Sequence, residues 1–386
     1  MFSDKMGRRK FIKGLSSALL GIAAPQVLQV SSSSGRTEKM SALEYRILGK
    51  TGLKVTTVGM GVMNCSDLAV LLRAFDLGIN FFDTADCYMR GKNEEMVGKA
   101  FQGKRDKVFI ETKLHDHDEK KMRDSVERSL RRLRTDYIDV LLWHNLNRPE
   151  EVSDGRLFEF MTKMKKEGKA RFAGFSAHSN MAALLKEAAR TGHHDVALVS
   201  YNFTHSKKLK EAVAVAAKSG IGVVAMKTQA GGYKKERMGG LTPHQAALKY
   251  VLKDENVSAA VPGATTVEQI EECAAAMGTS LSRIEFNDLK TYQSFLQGRI
   301  CTMCGGCEGE CSHGVAYGDL LRAWVYHDGY QNDRLARKVL LESSAAEAIE
   351  NCSECPSCTV VCRRGIDIKK QIQEAQDLFH GLSQAT

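Results

Sequence analysis

From Lys54 onward a short apolar run recurs about every 25–35 residues, and a helical pattern follows each one. The runs are Val55–Met60, Ile79–Phe82, Val108–Glu111, Ile138–Trp143, Ala170–Phe175, Val196–Tyr201, Ile221–Met226 and Ser258–Val261. Several are continuous rather than alternating, as suits parallel strands buried on both faces. The helical patterns are Asp67–Leu77, Glu94–Phe101, Glu119–Leu133, Leu157–Lys166, Met181–Arg190, Lys208–Lys218, Pro243–Leu252 and Val267–Met277. Eight strands answered by eight helices predict an α/β chain folded as a (β/α)8, or TIM, barrel. Ahead of them, Tyr45–Leu48 and Lys54–Thr57 flank Gly49-Lys50-Thr51-Gly52, which predicts a hairpin plugging the barrel floor. A composition of 43% hydrophobic and 26% charged residues supports such a core. It excludes a disordered chain, a collagen-like fibre and a multi-span membrane protein.

Barrels of this kind place their chemistry where strands end at the C-terminal face. Strand two runs into Asp83, with Tyr88 in the loop beyond; strand three ends at Lys113 and strand four at His144. An acid, a phenol, an ammonium and an imidazole therefore converge on one rim.

Gly78-Ile79-Asn80-Phe81-Phe82-Asp83-Thr84-Ala85 with Tyr88 resembles the aldo-keto reductase signature. Glu94-Glu95, Gly98-Lys99-Ala100, Ser129–Leu133 and Asp136–Asp139 continue it toward His144, and the opening hairpin resembles the family's own. The similarity covers about residues 43–285. It implies reduction of a small carbonyl substrate, or oxidation of an alcohol. Hydride delivery to a carbonyl leaves an alkoxide that must be protonated. Tyr88, whose ordinary pKa is about 10, is the expected proton donor. Lys113 is expected to lower that pKa, Asp83 to hold Lys113, and His144 to position the carbonyl oxygen.

The resemblance also implies a nicotinamide cofactor, NAD(P), with expected contacts at Ser176, Lys227, Gly263, Ala264, Thr265, Thr266, Gln269 and Glu272. Several of these positions depart from the family pattern. Met226 replaces the aromatic that usually stacks on nicotinamide, Leu198 a glutamine, Thr266 a residue that is often basic, and Cys273 an asparagine. Use of the phosphorylated cofactor is accordingly in doubt. The Gly263 loop and the helix after it still suit a phosphate.

Of the chain's eleven cysteines, eight fall between 301 and 362. Cys301, Cys304, Cys307 and Cys311 have the spacing C-x2-C-x2-C-x3-C, and Cys352, Cys355, Cys358 and Cys362 repeat it. That pattern resembles ferredoxins with two [4Fe–4S] clusters, where the fourth cysteine serves the other cluster. The resemblance implies one cluster on Cys301, Cys304, Cys307 and Cys362, and a second on Cys352, Cys355, Cys358 and Cys311. Zinc and disulfides are the competing readings; zinc usually takes two separated pairs of ligands. Helical patterns at Asp319–Tyr326, Asp333–Leu341 and Ala345–Ile349 make the expected module a helical one. Cys65 and Cys87 are read as small buried residues, and His115, His117, His193 and His194 as solvated loop positions. Arg131, Arg132 and Arg134 read as an exposed helix face, so no nucleic-acid partner is expected.

Arg8-Arg9-Lys10-Phe11-Ile12-Lys13 and an uncharged stretch from Gly14 to Val30 resemble a twin-arginine export signal. The expected division is therefore a signal peptide at 1–30 and a linker at 31–42. A barrel at 43–290 and a helical two-cluster domain at 291–386 follow. The translocase and a redox partner for the clusters are the implied partners, and the periplasm the implied location; an uncleaved membrane anchor is the alternative. The net charge of +9 lies largely in this segment, where residues 1–40 carry seven basic against two acidic residues. The expected function is an exported oxidoreductase coupling carbonyl/alcohol chemistry to electron transfer. The alternatives are an electron-transfer or partner-binding subunit with an idle barrel, and a cytosolic ferredoxin-linked reductase.

Overall fold

The structure, a computed structural model, describes residues 42–230, 243–309, 311–315, 317–330, 332–342, 352 and 355–383. The expected export signal and the expected helix at 345–349 lie outside those residues. The described residues belong to one compact unit spanning 40–386.

Eight parallel strands pair in chain order: β3 (Met60–Gly61), β4 (Phe81–Asp83), β5 (Phe109–Leu114), β6 (Ile138–Trp143), β7 (Ala170–Ala177), β8 (Val196–Ser200), β9 (Gly222–Met226) and β10 (Ala259–Ala260). Parallel bridges Val58–Ala260 and Gly61–Gly263 join first to last and close the barrel. Its interior is apolar, with Phe81, Val140, Leu142, Val196, Leu198 and Val224 pointing inward. Below them sits an antiparallel hairpin, β1 (Tyr45–Ile47) with β2 (Lys54–Thr56). Its Leu48, Leu53 and Val55 join the interior cluster, so the hairpin does plug the floor. The run expected as one strand, Val55–Met60, is divided instead. Val55 pairs back to Arg46, and barrel pairing begins only at Val58.

The surrounding helices are α1 (Leu68–Asp76), α2 (Lys92–Ala100), α3 (Glu119–Leu133), α4 (Pro149–Val152), α5 (Gly155–Lys166), α6 (Met181–Thr191), α7 (Lys207–Lys218), α8 (His244–Leu252) and α9 (Val267–Ala274). Asp67, Asp118, Asp154, Ser206 and Thr266 start five of them by accepting a hydrogen bond from a backbone N–H of the first turn. Tertiary ties hold the helices in place. Buried Glu94 on α2 accepts from Thr112 of β5 at 2.7 Å and from Arg132 of α3 at 3.2 Å. Arg132 is thus a structural tie rather than part of an exposed face.

The expected boundary at 290/291 falls inside one helix, α10 (Arg283–Leu296), which is anchored to α8 by Lys249–Glu285 at 2.6 Å. Among the described residues beyond it come a short ladder, β11 (Cys307–Glu308) with β12 (Val361–Cys362), and three helices, α11 (Tyr317–Trp324), α12 (Asp333–Glu342) and α13 (Ile368–Ser383). A π-helical turn, Val325–Gly329, follows α11. Leu320, Leu321, Leu340, Ile368 and Ile372 form this region's own core. Ile300, Met303 and Val325 pack instead with Phe203 and Ala230 of the barrel. The C-terminal region therefore caps the barrel rather than hanging from it.

Candidate active site

Inward and outward positions alternate along each barrel strand. The register that turns Phe81, Phe109 and Leu142 inward carries on to Asp83, Lys113 and His144 at the C-terminal ends. Asp83 and Lys113 are buried and in direct contact through Asp83 Oδ1 and Lys113 Nζ. Lys113 Nζ also donates to the Thr84 carbonyl at 2.6 Å. Tyr88 lies over this pair, its ring centroid 5.1 Å from Lys113 Nζ and 5.8 Å from the His144 ring. The loop that carries it is sharply bent, since Met89 and Arg90 both adopt left-handed φ (51° and 56°). Gly91 ends the bend at φ 88°, where a Cβ would collide with the Arg132 guanidinium.

The structure thus brings together all four residues expected to do chemistry. It does not bear out the lowered Tyr88 pKa. Burial pushes the phenol well above its ordinary 10.0; Asp83, Cys87 and Tyr326 add to the rise and Arg322 opposes it. Asp83 neutralises Lys113 at contact distance, so Tyr88 faces a pair with little net charge. Burial, then His115, Lys113, His178 and Arg322, hold the His144 pKa well below 6.5, leaving a neutral imidazole. Beneath the pair, fully buried Glu111 shares the inward register of Lys113, and both its carboxyl oxygens lack a hydrogen-bond partner. Burial, and then the charge on Asp83, push its pKa well up, opposed by Lys113.

Two cavities open from this rim. The smaller, about 330 Å³, is lined by Asp83, Tyr88, Met226, Lys227, Gly263, Thr265, Gln269 and Glu272, among others. Five of the expected cofactor contacts (Lys227, Gly263, Thr265, Gln269 and Glu272) therefore share one cleft. Ser176, Ala264 and Thr266 are occupied elsewhere. Ser176 Oγ accepts from the Asn145 N–H, Ala264 is buried in the core, and Thr266 caps α9. The cleft suits the nicotinamide end of a dinucleotide. Glu272 adds a carboxyl group to the lining of the same cleft. Lys227 is engaged by the cap: its Nζ donates to Tyr326 Oη at 2.8 Å and lies 5.2 Å from the centre of the Tyr330 ring.

The larger cavity, about 1230 Å³, reaches from Tyr88 and His144 to Cys301, Cys304, Cys307, Cys311 and Cys362. Its roof is the C-terminal region, bonded to the barrel's loops. Ser200 Oγ donates to the Met303 carbonyl at 3.2 Å, Asn202 Nδ2 to the Thr302 carbonyl at 2.9 Å, and Arg322 to Asn145 Oδ1 at 3.1 Å. His178, with its Nδ1 buried and unpartnered, stands where the two cavities meet. Trp143 and Phe203 line neither cavity. Trp143 has the outward register and packs on Phe160, while Phe203 packs on Tyr292.

The eight clustered thiols are unpaired and fall into two sets. Cys301 is pushed up by burial and then by Cys307, Cys304 and Cys362; Cys352 is pushed up by burial and then by Cys311, Cys355 and Cys358. These are the crossed sets that the spacing resemblance implies. Among the described residues, no three of the sulfurs lie within 4.8 Å of one another. Backbone N–H groups of Met303 and Arg364 point at Cys301 and Cys362 sulfurs, each at 3.4 Å, as cluster sulfurs favour.

The aldo/keto reductase family profile matches residues 57–239 and 234–293. The chain belongs to the aldo-keto reductase family. L-galactose dehydrogenase of Arabidopsis thaliana is 28% identical over 286 residues, 62% of this chain and 89% of that protein. The uncharacterized oxidoreductase YqkF of Bacillus subtilis (strain 168) is 26% identical over 298 residues, 65% and 96% of the two chains. Among solved structures, the holo form of aldo-keto reductase AKR11C1 from Bacillus halodurans superposes with a TM-score of 0.55 at 25% identity, covering 65% of this chain and 96% of that one. The (β/α)8 barrel and the oxidoreductase class follow from this membership. The profile ends at residue 293 and leaves the cysteine-bearing cap outside it.

Some residues of this site escaped the sequence reading. His115 is an exposed loop residue as expected, but Cys87 is not simply packed away: its Sγ lies 3.1 Å from His115 Nε2 and 3.7 Å from His144 Nδ1. His194 sits in the expected loop but is not solvated, being buried with its Nε2 on the Val152 carbonyl. Glu111 was open to detection, since it lies two residues before Lys113 on a buried strand.

Proposed function

We propose that this reductase is an exported enzyme that interconverts a small carbonyl and its alcohol, and that its cap carries two [4Fe–4S] clusters for electron transfer. The observation that carries this reading is the shared cavity, which joins Tyr88 and His144 to the sulfurs of Cys301, Cys304, Cys307 and Cys362. A nicotinamide held by Lys227, Gly263, Thr265, Gln269 and Glu272 supplies hydride when bound, and clusters supply electrons singly. The chain's own residues handle the proton. Tyr88, kept as a neutral phenol, donates its proton to the substrate oxygen as charge develops there. Neutral His144 donates a hydrogen bond to the same oxygen and fixes its position. The Asp83–Lys113 pair, backed by buried Glu111, sets the floor against which Tyr88 rests.

One feature favours a second reading. Tyr326 and Tyr330 crowd Lys227 in the smaller cleft, which fits a barrel whose electrons come from the clusters without nicotinamide. Metal analysis and mass spectrometry of the anaerobically purified protein separate the two. About eight irons with a bound dinucleotide support the first reading; the same iron with no organic cofactor supports the second. Tyr88→Phe is expected to slow carbonyl reduction by about 10²–10⁴-fold. Undiminished reduction would refute the assigned proton donor.

A further inference from the structure

Among the described residues outside the cysteine runs, one group of soft and borderline ligands converges. Cys87 lies in the loop after β4, His115 is the first residue past β5, and His144 the first past β6. Cys87 Sγ is 3.1 Å from His115 Nε2 and 3.7 Å from His144 Nδ1, and one ligand atom from each of the three residues falls within 4.8 Å of the others. The two imidazole rings lie 4.3 Å apart, tilted by 33°. A tetrahedral zinc ion with one thiolate and two imidazoles has edges of about 3.4–3.6 Å, from bonds of about 2.3 Å to sulfur and 2.0–2.1 Å to nitrogen. The two measured separations bracket that range.

We infer that Cys87, His115 and His144 form a binding site for one divalent, borderline-soft cation of the zinc type. All three residues line the larger cavity, so the fourth coordination position opens into it. Three protein ligands with one open position are the arrangement of reactive rather than structural zinc sites. The supports of the ligands are fixed. Lys338 Nζ donates to the Cys87 carbonyl at 2.6 Å, and the His144 N–H donates to the Leu114 carbonyl at 2.9 Å. Coordination through Nδ1 of His144 leaves the ring proton on Nε2. The cation thereby makes His144 a hydrogen-bond donor at its other nitrogen, a consequence that rests on the role proposed for His144; the site itself does not.

The test uses the full chain, purified anaerobically, mixed with zinc and then desalted, with zinc and iron measured together. Wild type is expected to retain about one zinc, and Cys87→Ala and His115→Ala to hold it at least tenfold more weakly, with iron unchanged. Equal retention in wild type and both variants overturns the site. Zinc-edge X-ray absorption on wild type gives a second measurement that does not depend on the variants folding. A shell of one sulfur and two nitrogens supports the site. A shell of four sulfurs places the zinc on the cysteine runs and overturns it. Neither outcome requires that the iron clusters exist, so failure here is distinguishable from failure of the electron-transfer reading.

Discussion

At the scale of single residues, burial governs the titrating groups. His194 is the clearest case: enclosed against Val152 and the ring of Phe175, it has its pKa lowered from 6.5 to about 4. Its neutral form is the one the fold accepts. Between pH 6.5 and 4 the unfolded chain takes up a proton that the folded chain refuses, so stability falls with acidification through that window and levels off below it. The full span corresponds to about 3 kcal/mol. Urea unfolding at pH 7 and pH 4.5 is expected to show this loss in wild type and a markedly smaller one in His194→Gln. The four chemical residues were legible because strand ends and residue types coincide at Asp83, Lys113 and His144. The Cys87–His115 approach was not, because it joins two loops whose path no periodicity encodes.

At the scale of elements, alternation and capping carried most of the information. Helix α3 occupies the expected Glu119–Leu133, starting at its Asp118 cap. The first strand was misjudged because Val55 and Met60 are equally apolar, yet one serves the hairpin and the other the barrel. The hairpin's tip shows how tightly that plug is seated. Gly49 has φ 53°, and a Cβ there would lie 2.2 Å from the Gly222 nitrogen and 2.4 Å from the Gly220 carbonyl oxygen. Lys50 N–H meanwhile donates to that carbonyl at 2.7 Å. Gly49→Ala must therefore both strain the backbone and push the hairpin off β9. A loss of about 2 kcal/mol or more is expected from these two effects, measured as a lowered midpoint in chemical denaturation. Gly103, also at positive φ but with open space around it, should tolerate alanine better and serves as the control.

At the scale of the whole molecule, the cap and the barrel are one unit built over one mouth. The repeated cysteine spacing announced two ligand sets, but nothing in it disclosed that one set would face Tyr88. That required the bonds from Ser200, Asn202 and Asn145 to the cap, which join residues about a hundred or more positions apart. If the proposed export route is right, Arg8→Lys with Arg9→Lys leaves the protein in the cytoplasm with its full iron content, while wild type appears in the periplasm. Cell fractionation with iron analysis of each fraction checks it, and unchanged export of the double variant rejects that route. The short ladder between Cys307 and Cys362 adds a matter of timing. During synthesis the barrel strands and Cys307 emerge long before Cys362, so the roof over the catalytic rim cannot be finished while the ribosome is still making the barrel. The ladder that completes that roof can form only after translation has passed Cys362.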